Sequence, residues 1–235
     1  MEGWRTALES RGMKISRKKT EYFTTDTDGD QQSTIQIDGL NLKRVDHFKY
    51  SGVMVEEDGS MGREIKNRIQ CGWNNWRKVS GVICDKRVPV KLKGKVHKSV
   101  VRPAMTYGLE TAPLRKVEER KLDVAEMKML RWMVGETKID CIRNNYIRGS
   151  LHVTEISKNV QETRLRWYGH LLRRNEDHVG RQAMEMELEG NRPKRRPKTR
   201  RKDVIQKDMR EKHIDEAEAL DIALWRSLIR NSDPG

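Results

Sequence analysis

The sequence has few cysteines and no long apolar run. Cys71, Cys84 and Cys141 are widely spaced and form no Cys-x-x-Cys pair, which argues against a zinc ribbon or a disulfide framework and favours a reducing, intracellular setting. No stretch of about 18 apolar residues occurs, so a membrane partner is not expected. The segment from Met1 to Arg5 contains no apolar secretory core.

Patterns typical of catalytic and metal sites are also missing. There is no Gly-x-Ser-x-Gly elbow and no glycine-rich phosphate loop. Asp26, Asp28 and Asp30 resemble the start of a calcium loop, but Gln31 and Ile37 stand where that loop needs Gly and Glu. A solvated hairpin loop is therefore expected there.

Two histidines, His170 and His178, lie near acidic residues. Their spacing does not fit a zinc motif, and no cysteine partner is near. We expect them to take part in helix packing or to contact a phosphate backbone, and we predict no metal site.

Positive charge is what the sequence has in excess. Lys and Arg number 49 against 35 Asp and Glu, for a net charge of +14 and a pI of about 9.8. Such a surplus favours a polyanionic partner, because each neutralised phosphate releases condensed counterions. A soluble protein with a merely basic surface explains the charge alone equally well.

Hydrophobic periodicity changes from strand-like to helical near residue 60. Strands are predicted at 20–23, 34–37 and 48–55, the last closed by a turn at 57–60. Helices are predicted over 65–83, 89–103, 122–135, 140–148, 154–171, 179–188, 203–212 and 215–230. Gly12 is expected to end a helix and Thr154 to cap one. The fold class is α+β: a small antiparallel sheet remnant, then a mainly α-helical thumb and C-terminal helices.

Several segments, in order, resemble the RNA-directed DNA polymerase (reverse transcriptase) of non-LTR retrotransposons. They include Trp4-Arg-Thr-Ala-Leu-Glu-Ser-Arg-Gly-Met-Lys-Ile-Ser-Arg-Lys-Lys-Thr-Glu, Phe48-Lys-Tyr-Ser-Gly-Val, Val101-Arg-Pro-Ala-Met-Thr-Tyr-Gly-Leu-Glu-Thr, Glu126-Met-Lys-Met-Leu-Arg-Trp-Met-Val-Gly and Arg164-Leu-Arg-Trp-Tyr-Gly-His-Leu-Leu-Arg-Arg. The chain departs from the family at Ser16, usually Asn, and at Ser51, where the family has Leu before Gly.

The resemblance implies that the chain begins in mid-domain and divides into five parts. The implied parts are the end of the palm with a primer-grip-like hairpin (1–58), a helical thumb-like region (59–135), a helical C-terminal extension (136–189), a basic linker (190–202) and C-terminal helices (203–235). The catalytic Tyr/Phe-Ala-Asp-Asp stretch of the family is absent, and two-metal polymerases need such carboxylates. We expect no catalytic residue and no cofactor in this fragment, Mg²⁺ in the intact polymerase, and no activity from this chain alone.

The implied partners are RNA, DNA or an RNA–DNA hybrid, bound without regard to sequence, and the missing N-terminal polymerase part. Segment 190–202 contains eight basic side chains and no acid, which predicts an extended linker for phosphate binding or nuclear import. The expected location is nuclear, or nuclear and cytoplasmic. The candidate nucleic-acid-binding residues are Lys19, Lys49, Arg77, Lys78, Arg164, Arg166, Arg192, Arg195, Arg196, Lys198, Arg200 and Arg201.

Tryptophans and basic residues of the predicted helices are assigned opposite roles. The tryptophans share the register of Ile, Leu and Met and are expected in the core rather than stacked on bases; they are Trp73, Trp76, Trp132 and Trp167. Basic side chains off the apolar stripe are expected to face phosphates, among them Arg68, Arg131 and Arg164. A repurposed or inert helical interaction protein is the alternative from another functional class.

Overall fold

The computed structural model describes residues 2–24, 35–37, 39–186 and 200–231. The chain separates into two compact units, residues 1–64 and residues 65–235. The first contains short strands and the second is helical, so the predicted α+β class is confirmed. The Asp26, Asp28 and Asp30 loop lies outside the described residues.

The N-terminal unit begins with helix α1 (Glu2–Glu9), which ends as the sequence predicts. Gly12 has a φ of 78°, in the left-handed region that glycine adopts without strain. The Met13 N–H donates to the Leu8 carbonyl at 3.1 Å, and the Gly12 N–H donates to the Glu9 carbonyl at 3.0 Å. This pattern satisfies carbonyls that the helix end leaves open.

Within the described residues of this unit, the strands pair two by two. They are β1 (Glu21–Tyr22), β2 (Gln36–Ile37), β3 (Leu40–Asn41), β4 (Lys43–Arg44), β5 (His47–Tyr50) and β6 (Val53–Glu56). Strands β2 and β3 pair antiparallel, as do β5 and β6, whereas β1 and β4 pair parallel. The predicted continuous strand at 48–55 is wrong, because Ser51 (φ 48°) and Gly52 (φ 86°) make a two-residue turn.

The helical unit runs through a series of short and long helices. They are α2 (Gly62–Ile83, beginning in the first unit), α3 (Val90–Val96), α4 (Arg102–Thr106), α5 (Lys116–Val134), α6 (Asn144–Leu151), α7 (Ile156–Leu172), α8 (Val179–Glu185), α9 (Arg201–Lys212) and α10 (Ile222–Ile229). A π-helical turn, His97–Val101, joins α3 to α4. The helical path therefore continues past Pro103, which stands at the start of α4, directly after the π-helical turn.

Several helix ends differ from the prediction for local reasons. Helix α6 starts at Asn144 rather than 140. Thr154 does not cap α7; Glu155 precedes that helix, and the Thr154 carbonyl accepts a hydrogen bond from Arg148 at 3.0 Å. The predicted helix 215–230 is divided, because the Asp221 carboxylate accepts the first free N–H groups of α10.

One core of the helical unit lies among α7, α9 and α10. Its buried side chains are Leu165, Tyr168, Ile205, Met209, Ile214, Ala219, Trp225 and Ile229. The Trp225 indole N–H donates to the Leu165 carbonyl at 3.1 Å. A Cβ at Gly169 would overlap that indole, so glycine permits the close approach of α10 to α7. These contacts fix the two helices against each other.

The solvent face of α5 contradicts one core assignment. The sequence pattern predicts a core position for Trp132, and this prediction is wrong, because the side chain is 67% exposed. It follows Lys121, Val124 and Lys128 at steps of three and four residues, and all four side chains are exposed. The buried stripe of α5 runs instead through Leu122, Met129 and Met133. Trp76 is buried as predicted. The centres of the Trp76 and Trp132 rings are 6.0 Å apart, in an edge-to-face arrangement.

Candidate nucleic-acid interface

Residues 65–109 concentrate positive charge. They contain one acidic residue, Asp85, against eleven basic ones: Lys66, Arg68, Arg77, Lys78, Lys86, Arg87, Lys91, Lys93, Lys95, Lys98 and Arg102. Helix α2, the following turn and helix α3 carry most of these side chains. The net charge of the whole chain, +14, does not reveal this local imbalance.

Six of these cations are exposed and meet no carboxylate among the described residues. They are Lys66, Arg77, Lys78, Lys86, Lys91 and Lys95, here called the α2–α3 cations. Arg77 donates to the Asn74 amide oxygen at 3.2 Å, and Lys78 to that of Asn75 at 3.5 Å. These acceptors are neutral, so the cationic charge remains available to an anion.

Helix α3 is fixed in place beneath its exposed lysines. Its Gly94 lies so close to α6 that an added Cβ would overlap the Leu151 carbonyl oxygen. The buried Lys93 ammonium donates to the Met133 carbonyl at the end of α5, at 2.9 Å. Lys91 and Lys95 therefore project from a helix anchored to two others.

Arg77 and Lys78 are thus exposed on α2, but Arg164 is wrongly assigned to the interface. Its side chain is fully buried, and its Nε lies 2.6 Å from an Asp208 carboxylate oxygen. A Glu119 oxygen lies 3.7 Å from its Nη2. Arg164 lies on the buried stripe of α7 with Val160, so it faces the interior. Burial raises the pKa of Asp208, while the charge of Arg164 opposes that shift.

Arg68 and Arg131 are also directed towards the protein rather than outward. Arg68 is buried and lies over the Tyr107 ring, 5.3 Å from its centre. Arg131 donates to the carbonyls of Thr137 and Ile142 at 2.8 and 2.7 Å. Arginine in a helical sequence pattern therefore does not by itself indicate a phosphate contact.

A buried ion network shows the same internal use of arginine. The Glu126 carboxylate, fully buried on α5, accepts from Arg102 Nε at 2.9 Å and from Arg148 Nη1 at 2.8 Å. The Nε2 atom of His97, in the π-helical turn, lies 3.7 Å from the same carboxylate. Burial, with a contribution from the two guanidinium groups, lowers the pKa of His97 to about 4. The imidazole is therefore neutral at pH 7.

Of the remaining predicted residues of the helical unit, Arg166 and Arg200 are exposed to solvent, whereas Arg201 is stacked on an aromatic ring. Arg166 on α7 is exposed and pairs with Glu162 at 2.6 Å. Arg200 is exposed at the start of α9. The Arg201 guanidinium lies 3.6 Å from the centre of the Trp167 ring, and burial lowers its pKa to about 10. This contact fixes the start of α9 on α7.

Other predicted positions fall elsewhere in the chain. Lys19, in the 3₁₀ turn Arg17–Lys19, and Lys49, on β5, are exposed in the N-terminal unit. Four basic-arm residues lie outside the described residues: Arg192, Arg195, Arg196 and Lys198.

The histidines with possible metal-ligand chemistry are otherwise engaged. His170 Nε2 lies 3.2 Å from Arg174 Nη2, and His178 Nδ1 accepts from the Gly180 N–H at 3.1 Å. Within the described ranges, His, Cys, Asp and Glu side chains do not group in threes or more to hold a metal ion. Helices in those ranges also lack the length and apolar character needed to cross a bilayer.

Comparison with known proteins points to transposons. A stretch of 155 residues is 26% identical to an uncharacterised transposon-derived protein of Caenorhabditis elegans, covering 63% of this chain and 52% of the nematode protein. The chain thus spans about half the length of that relative. No family model matches, and no solved structure matches. The similarity supports a transposon-related origin for this chain.

Proposed function

We propose that the chain derives from the C-terminal part of a non-LTR retrotransposon reverse transcriptase and binds nucleic acid by its phosphate backbone. Duplex DNA, RNA and RNA–DNA hybrids are its ligands, without sequence preference. The transposon-related origin is consistent with this more specific assignment, which rests on the family-like segments of the sequence.

The observation that carries the proposal is the set of α2–α3 cations. Six exposed positive side chains occur there without a carboxylate partner among the described residues. Cations already paired within a protein have little to gain from a phosphate, whereas unpaired ones release counterions from nucleic acid on binding. Contacts of this kind position a protein on a duplex but do not read bases.

The same origin explains why we propose binding without polymerisation. The sequence contains no Tyr/Phe-Ala-Asp-Asp stretch, and the reaction needs carboxylates that hold two metal ions at the attacking and leaving oxygens. The second partner we propose is a polymerase part that carries these carboxylates and would hold Mg²⁺ in an intact polymerase. A nuclear, or nuclear and cytoplasmic, location follows from this function.

A binding titration of the full chain tests the proposal. We expect affinity for duplex and hybrid probes of unrelated sequence, with log K falling steeply and linearly as log salt rises. Primer extension on the same preparation, with Mg²⁺ or Mn²⁺, is expected to give no product. Affinity that does not change with salt would contradict the proposed phosphate binding. Templated synthesis that an internal point mutation abolishes would contradict the proposed inactivity.

A helical interaction protein is the second candidate, favoured by the outer face of α5. Val117, Val124 and Trp132 on that face are 63%, 47% and 67% exposed. Exposed apolar side chains aligned along one helix are typical of protein-binding surfaces. Tight, salt-independent capture of a protein partner, lost in Trp132→Ala, would favour this function over nucleic-acid binding.

A further inference from the structure

A cleft between α7 and α10 brings together arginines that are far apart in the sequence. Its volume is about 490 Å³, and its lining residues are Glu162, Arg166, Arg226, Ser227 and Arg230. Pockets for small ligands measure roughly 300–1,000 Å³. Three guanidinium groups against one carboxylate leave the cleft with a formal charge of +2.

The single carboxylate of the cleft is already satisfied. One Glu162 oxygen accepts from Arg166 Nη2 at 2.6 Å, and the other accepts from the Asn231 N–H at 3.0 Å. The Asn231 side chain also donates to the Lys158 carbonyl at 2.7 Å. Glu162 thus holds the chain after α10 against α7 and orients Arg166.

The other two arginines have no such partner. The guanidinium groups of Arg226 and Arg230 are exposed and make no hydrogen bond or ion pair with the described residues. They stand four residues apart, one on α10 and one at its end, and so lie on the same side. The Ser227 hydroxyl donates to the Leu224 carbonyl at 2.7 Å, which leaves the arginines as the principal free donors.

We propose that this cleft binds a phosphate group, supplied by the backbone of a nucleic-acid strand. Guanidinium groups present paired N–H donors that match two phosphate oxygens, and three around one concavity can share a single group. The hydrogen bond from the Trp225 indole to the Leu165 carbonyl holds α10 against α7, so only the arginine side chains need to be ordered on binding. That the ligand is a phosphate group is inferred from the cleft alone. That a nucleic-acid strand supplies it depends on the proposed function.

The test uses the full chain and two matched double variants. Arg226→Gln/Arg230→Gln removes two charges from the cleft. Lys202→Gln/Arg210→Gln removes two exposed charges from α9, outside it. All four side chains are exposed, so both variants are expected to unfold at the parent's temperature. The probes are inorganic phosphate and a short DNA duplex, followed by the NMR signals of the arginine Nε–H groups and by binding titrations.

We expect both probes to shift the Arg226 and Arg230 signals in the parent. The cleft variant should lose more duplex affinity than the α9 variant, with a salt slope smaller by up to about two units. Equal losses in the two variants and unshifted signals would overturn the cleft. If the parent still bound duplex with a steep salt dependence, the proposed function would survive that result. Shifts with inorganic phosphate alone would overturn the nucleic-acid strand as the source.

Discussion

Helices α2 and α3 on one side, and helices α6 and α7 on the other, use their cations in opposite ways. Lys66, Lys91 and Lys95 are exposed and have no carboxylate partner in the described ranges. Arg148 and Arg164 are buried and bonded to Glu126 and Asp208. In the net charge of the chain, these exposed lysines and buried arginines count equally. Burial and pairing make the first a candidate ligand surface and the second part of the fold.

The largest expected effect that tests this comparison comes from replacing, one at a time, two arginines on α7. Arg164→Gln should destabilise the protein by about 3–5 kcal/mol, because Asp208 is left as an unpaired buried charge. Arg166→Gln, two residues away, should cost no more than about 0.5 kcal/mol, since its side chain is 57% exposed. Urea unfolding measures both. Similar costs for the two variants would show that burial does not separate their roles.

Acid provides a second test of the buried network, through His97. Its folded-state pKa of about 4 lies below the value of 6.5 expected in the unfolded chain, so on acidification the unfolded state takes up the proton first. The contribution of His97 to stability is therefore present above pH 6.5 and is lost as the pH falls towards 4. Between pH 7 and pH 5 the loss should be roughly 2 kcal/mol.

Two measurements check this expectation. Urea unfolding of the parent should show the loss between pH 7 and pH 5, and His97→Gln should reduce it, whereas His213→Asn, at an exposed helix end, should not. In the parent, the His97 ring C–H signals should not titrate above pH 5. A titration midpoint near 6.5 would mean that the ring is solvated.

A smaller effect is expected where an aromatic side chain lies on the outside. Trp132→Ala should cost about 1 kcal/mol, mainly from the lost edge contact with Trp76. Trp76→Ala should cost about 3–5 kcal/mol, because that side chain is 6% exposed. Thermal unfolding of the two variants compares them. If Trp132→Ala instead unfolded the domain, Trp132 would belong to the core, as the sequence pattern indicated.

These contrasts show how far the sequence predicts the fold. The long stripes of α2 and α5 and the left-handed glycines at Gly12 and Gly135 follow from local rules, and the structure confirms them. The position of Trp132 does not follow, because a helix with Met, Leu and Val on several sides has more than one plausible inner face. Only packing against α6 and α7 selects the face that is buried.

The candidate site was harder to predict for the same reason. Arg164 looks like any other cation in a basic sequence, and its partner Asp208 stands 44 residues away. The cleft residues Arg226 and Arg230 lie on α10 and at its end, in a segment whose sequence pattern indicates only an apolar helix face. By contrast, the excess of cations over 65–109 is visible in the sequence once that window is counted alone.

The most direct test compares unpaired with paired surface cations at equal charge. One variant replaces Lys66, Lys86, Lys91 and Lys95 with Gln. The other replaces Lys43, Arg87, Lys116 and Lys158, which are exposed but pair with Glu21, Asp85, Glu119 and Glu155. Both variants lose four positive charges, so the long-range attraction that depends on net charge alone falls equally in the two.

The measurement is the slope of log K against log salt for one DNA duplex, with the parent and both variants. If all four unpaired lysines contact phosphates, the first variant should flatten the slope by roughly three to four units. The second should change it by less than about one unit. Equal slopes in the two variants would contradict the claim that the unpaired α2–α3 cations form the nucleic-acid-binding surface.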